Sequence, residues 1–145
     1  MTGLSLVLDD DAATRQDLQR RLNAAGWRVR SSKRTNFGIE LARRQRPNLV
    51  FLDVALPSYA PEAIAASLHI HFGPRLPIVA MGAIPQPELV ERIGAFGFLA
   101  KPFQPDRVDQ LLARAAELAE NRRGPLRRSD EAMARMEDLR NRRNC

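Results

Sequence analysis

Five short apolar runs alternate with stretches of helical spacing along most of the chain. The runs are Leu4 to Leu8, a weak one around Trp27 and Val29, Leu49-Val50-Phe51-Leu52, Pro77-Ile78-Val79-Ala80-Met81, and Phe98-Leu99-Ala100. Continuously apolar runs, as opposed to alternating ones, mark strands covered on both faces. Between them, Arg15, Leu18, Leu22 and Ala25 recur at helical spacing, and Gly26 is a stop. Asn36 is positioned to cap a helix running to about Arg46, with Phe37 and Leu41 on its apolar face beside Ile39; Pro47-Asn48 breaks it. The spacing predicts an Ala-rich helix over Pro61–Phe72 and a short one over Pro87–Ile93. A final helix is predicted from Asp106 to Asn121, with Val108, Leu111, Leu112, Ala115 and Leu118 on one face. Strands alternating with helices predict an α/β domain over residues 1–121, a five-stranded parallel sheet, doubly wound. Gly124-Pro125 closes it. Residues 122–145 are predicted as a short tail, disordered or helical over Ser129 to Arg140, where Met133, Met136 and Leu139 align.

Charge sharpens this division. Residues 1–121 hold 15 basic and 13 acidic side chains, a net of +2, whereas residues 122–145 hold 8 Arg and 4 acids, a net of +4. The domain itself therefore shows no nucleic-acid footprint. No apolar run reaches the roughly 18 residues of a membrane span. Asp9 to Asp11 interrupt what would be a signal-peptide core, and the lone Cys145 has no internal disulfide partner. A cytoplasmic location is expected.

Ligands of open parallel sheets sit beyond the carboxyl ends of the strands. Asp9, Asp10 and Asp11 follow the first run, Asp53 ends the third, and Lys101 follows the fifth. Such carboxylates can converge on a hard cation, Mg²⁺ or Mn²⁺, with an ammonium beside it. His69 and His71 are expected to be surface or helix-end histidines, since nothing near them supplies further metal ligands.

The stretches VLDDDAATR, LVFLDVALP, PIVAMGAI and GAFGFLAKPF, in this order at these strand ends, resemble the receiver domains of bacterial two-component response regulators. The resemblance spans residues 4 to about 121. It implies the flavodoxin-like receiver fold and a single-domain, chemotaxis-regulator-like protein that is not an enzyme. It implies that Asp9 and Asp10 hold Mg²⁺ together with Asp53, Asp10 being the stronger candidate for direct ligand. Asp53 is implied as the phosphoacceptor, taking its phosphoryl group from a histidine kinase or phosphotransfer protein. Lys101 is implied to pair with the phosphoryl oxygens, and Phe98 is the aromatic switch position. Asp11 is expected to cap the first helix. A haloacid dehalogenase-type hydrolase is disfavoured, because Ala13 stands where that motif wants Thr or Val.

The sequence departs from the family pattern at Gly82, followed by Ala83, where members usually carry Thr or Ser before a small residue. Without that hydroxyl, coupling between the phosphoryl group and Phe98 is expected to be weak. The helix after Gly82 is also expected to be about a turn short. Output is expected through an unknown downstream protein, with no DNA-binding domain. The alternative is a degenerate receiver that acts as a phosphorylation-independent interaction module.

Overall fold

The computed structural model describes residues 3–120, a run of alternating strands and helices. The elements are β1 (Leu4–Leu8), α1 (Ala12–Ala24), β2 (Arg28–Ser32), α2 (Thr35–Arg43), β3 (Leu49–Asp53), α3 (Pro61–Phe72), β4 (Ile78–Gly82), α4 (Pro87–Ile93) and β5 (Gly97–Ala100). A fifth helix, α5, covers residues 105–120. The chain divides into two compact units, Met1–Leu112 and Ala113–Cys145. The expected tail helix at Ser129 to Arg140, with its methionines, lies outside the described residues.

All five strands are parallel, in the order β2-β1-β3-β4-β5. The hydrophobic patterning explains the order. Every residue of β1, β3 and β4 is buried, and these are the three inner strands. Arg28-Val29-Arg30 alternates exposed and half-buried positions, as befits the β2 edge. Edge strands carrying charge resist pairing with other chains. The sheet's order reverses between β1 and β3, so the crevice of this doubly wound fold opens beyond the ends of those two strands.

α1 buries Leu18 and Leu22 and is capped by Asp11, whose side chain accepts from the Thr14 backbone N–H. Gly26 follows with φ 91°, the left-handed conformation that glycine tolerates. α3 and α4 both begin at a proline, where the missing N–H is no loss. α4 has only 7 residues, as its sequence predicts.

The reading of α2 is corrected. Asn36 does not cap it; the helix starts at Thr35, Arg34 holds the cap position without a side-chain hydrogen bond, and the helix ends at Arg43. Asn36 Nδ2 instead donates to Tyr59 Oη at 3.2 Å. The buried face is Gly38, Ile39 and Ala42, leaving Phe37 60% exposed. The cause is Gly38. A Cβ there would lie within 2.4 Å of Leu8 Cδ2 and 3.2 Å of Ser32 Cβ, so the helix touches the sheet at its glycine. That contact rotates Phe37 outward.

Candidate functional site

β1 and β3 run side by side and end together, Leu8 beside Leu52. The three aspartates after β1 take three different roles. Asp9 continues the ladder, its backbone N–H donating to Ser32 O at 3.1 Å, and its side chain is fully buried. Asp10 is exposed. Asp11 turns back onto α1, where bonds from the Thr14 hydroxyl and the backbone hold its carboxyl below the usual range.

Asp53 is the last residue of β3 and is 3% exposed. Each buried carboxylate is fixed in the same way. Asp9 Oδ1 accepts the Asp11 N–H at 2.9 Å, and Asp53 Oδ1 accepts the Ala55 N–H at 2.9 Å. The second oxygens turn toward Lys101, whose Nζ lies 2.6 Å from Asp9 Oδ2 and 3.3 Å from Asp53 Oδ2. The contact to Asp53 is a hydrogen bond. The shorter one is an ion pair, and the buried Asp9 Oδ2 has no partner besides Lys101 among the described residues.

The electrostatics follow. Burial raises the Asp9 pKa above the ordinary aspartate range. The Lys101 bond and the Asp11 N–H pull it down, the neighbouring Asp53 charge pushes it up, and the net is upward. Lys101 is opposed by its own burial, but the two carboxylates outweigh this and raise its pKa. The Lys101 backbone is fixed too, its N–H donating to Gly82 O at 2.9 Å. The Lys101–Pro102 peptide is cis.

Asp9, Asp10 and Asp53 each offer an oxygen within 4.8 Å of the others'. This set fits a divalent cation. All donors are hard oxygens, the charge is excessive for one ammonium, and the buried Asp9 Oδ2 is met by that ammonium alone among the described residues. The structure thus gathers Asp9, Asp10, Asp53 and Lys101 at one point.

Gly82 ends β4 and is buried, Ala83 beyond it is exposed, and Phe98 on β5 is half-buried. The Phe98 ring packs against Gly82: a Cβ there would lie 3.2 Å from Phe98 Cζ and 3.2 Å from Val54 Cγ2. Residue patterning did not reveal this packing, nor the bond from Arg15 Nη1 to Asp9 O at 2.8 Å. The helical spacing put Arg15 on α1 but gave no sign of its partner. His69 and His71 stay on α3, bonded to the Leu76 and Ser67 carbonyl oxygens.

The response regulator receiver domain family matches residues 6–113. This chain belongs to that family. Receiver domains are signalling modules of two-component systems, generally phosphorylated on an aspartate and binding Mg²⁺ in an acidic pocket. Among curated relatives, the transcriptional regulatory protein PdtaR of Mycobacterium tuberculosis is 35% identical over 102 residues, covering 68% of this chain and 49% of its own. This receiver domain spans about half the length of the curated relatives it matches. Two solved structures share its fold. The chemotaxis protein CheY4 of Vibrio cholerae has 24% identity and a TM-score of 0.73, over 79% of this chain and 99% of that one. NtrX of Brucella abortus has 27% identity and a TM-score of 0.78, over 86% of this chain and 29% of that one. Among the described residues, no helix is long and apolar enough to cross a membrane.

Proposed function

We propose that this receiver domain accepts a phosphoryl group on Asp53 from a histidine kinase or phosphotransfer protein and passes the signal on by binding a downstream protein. The observation that carries this reading is the Asp53 carboxylate itself. It is buried at the end of β3, with one oxygen on the Ala55 N–H and the other on the Lys101 ammonium, beside Asp9 and Asp10. The Ala55 N–H orients the carboxylate, and an Asp53 oxygen attacks phosphorus in line. The new O–P bond forms as the P–N bond of a phosphohistidine breaks, the imidazole nitrogen keeping the electron pair and then taking a proton. Lys101 offsets charge on the transferred oxygens. A Mg²⁺ ion held by Asp9, Asp10 and Asp53 would supply further neutralisation of that charge.

The test is intact-mass measurement after treatment with acetyl phosphate and Mg²⁺. One added phosphoryl group is expected, and none in Asp53→Asn. Labelling that persists in the variant, or none in the native protein, removes the assignment.

A second reading, a receiver that binds its partner without phosphorylation, draws support from Gly82. With no side chain there, the Phe98 ring already rests against the strand end. Partner affinity that is equal with and without beryllofluoride would favour this reading.

A further inference from the structure

The domain's near-neutral charge conceals a sharp separation. Residues 28–46, covering β2 and α2, carry seven basic side chains against one acid, Glu40, a net of +6. The other residues of 1–121 carry eight basic and twelve acidic, a net of −4. Glu40 is itself engaged by Arg43 at 2.8 Å. Arg30, Lys33, Arg34 and Arg44 are exposed and make no ion pair among the described residues.

At the centre of these cations stands Phe37, 60% exposed. Three recesses meet at its ring, of about 500, 430 and 500 Å³. Lys33 and Arg34 line the first and third, and Arg30 and Arg44 the second. Cations on an edge strand guard against unwanted pairing. They do not account for an exposed phenyl ring, whose burial would be favourable.

We infer that the face around Phe37 docks an acidic segment of a partner protein, an apolar side chain of that segment seated on the ring and its carboxylates on Arg30, Lys33, Arg34 and Arg44. Charge complementarity selects the occupant. The chain's own residues 122–145 carry a net of +4 and do not complement it. A flat anionic bilayer matches the charge but not the shape, since the Phe37 ring is flanked by recesses, and the exposed Tyr59 beside the first of them has its hydroxyl held by Asn36. Single-stranded nucleic acid wants a succession of stacking platforms along a basic groove, whereas Phe37 is the sole aromatic in two of these recesses and is joined only by Tyr59 in the first. An acidic peptide with one apolar anchor uses every feature present.

The test titrates a short glutamate-rich peptide with one central leucine into the isotope-labelled full chain at low salt. The same peptide with alanine for leucine, an oligothymidylate and phosphatidylserine vesicles are run beside it. Shifts are expected within residues 28–46 and 56–59, weakening as salt rises. Phe37→Ala should lower the affinity about tenfold with an unchanged thermal midpoint, because the ring is already exposed. The paired variant Arg34→Glu, Arg44→Glu should abolish binding, and the alanine peptide should bind less. No peptide binding, shifts elsewhere, indifference to Phe37→Ala, or tighter binding of oligothymidylate or vesicles to the same residues would overturn the inference.

Discussion

Replacing Gly82 with threonine tests the packing where β4 ends against Phe98. Gly82 is not among the glycines with positive φ, so its backbone accepts a side chain. The obstacle is space. The new Cβ would lie 3.2 Å from both Phe98 Cζ and Val54 Cγ2, and 3.8 Å from Phe98 Cε2. Two relaxations are open. If the ring stays, overpacking costs about 1–3 kcal/mol. If it swings outward, the protein loses the burial of a phenyl that is mostly covered, about 1–3 kcal/mol. The two costs are comparable, and by either route Phe98 packs less favourably in the variant. We expect Gly82→Thr to lose about 1–3 kcal/mol, several degrees or more in thermal midpoint for a domain of this size.

A double-mutant cycle with Phe98→Ala measures the contact directly. Truncating Phe98 should cost less in the Gly82→Thr background than in the native one, by at least about 0.5 kcal/mol. The threonine hydroxyl would also offer a hydrogen bond to a charged phosphoryl oxygen, worth about 1.5–3 kcal/mol. Inverting a 1:99 equilibrium needs about 5.5 kcal/mol, so that bond is a quarter to a half of the drive. Beryllofluoride-induced NMR shifts in α4 and β5 should accordingly be small in the native protein and larger in the variant. Additive stabilities together with equal shifts would refute the packing argument and the coupling argument alike.

Two further predictions concern the acidic cluster. Because the folded pKa of Asp9 is raised, its contribution favours folding below the unfolded pKa and is lost as pH rises through the folded one; Asp9→Asn should therefore raise the thermal midpoint at pH 7 without divalent ions, the gap closing as pH falls, and a lower midpoint at pH 7 would contradict this. Mg²⁺ should shift the amide signals at the β1 and β3 ends with an affinity of about millimolar, and Asp10→Ala should remove those shifts; a variant that responds as the native protein does would eliminate Asp10 as a ligand.

Much of the fold was legible because its signals are local. The continuous runs of β1, β3 and β4 and the prolines opening α3 and α4 depend only on neighbours in sequence. The α2 face was not legible, because hydrophobic counting gives glycine no weight. Gly38 is nevertheless where that helix meets the sheet, and Phe37, the largest apolar residue in it, is outside. The site divides likewise. Asp53 and Lys101 stand at strand ends that the pattern locates. Which of Asp9, Asp10 and Asp11 turns inward depends on the β1 ladder continuing one residue further, through the Asp9 N–H to Ser32 O, and on the Thr14 bond that draws Asp11 away. Like charges in sequence were separated by backbone geometry that composition cannot encode.

That separation has a consequence for the charge the site can bear. Asp9, Asp10 and Asp53 with Lys101 sum to about −2 when all are ionised, with two of the carboxylates buried. Converting the Asp53 carboxylate to an acyl phosphate adds about one further negative charge, since a phosphoryl group carries roughly −1.5 to −2. Without a cation the cluster would approach −3 around a single ammonium, and Lys101 already sits closer to Asp9 than to Asp53. Drawing the ammonium to a phosphoryl group would leave the buried Asp9 carboxylate, already disfavoured by its burial, without a counter-charge. A divalent ion returns the unphosphorylated cluster to about zero and the phosphorylated one to about −1. Phosphoryl transfer to Asp53 should therefore require the metal even though Lys101 is in place. Acetyl phosphate labelling of Asp53, followed by intact mass, should vanish in EDTA, and undiminished labelling there would refute this arithmetic.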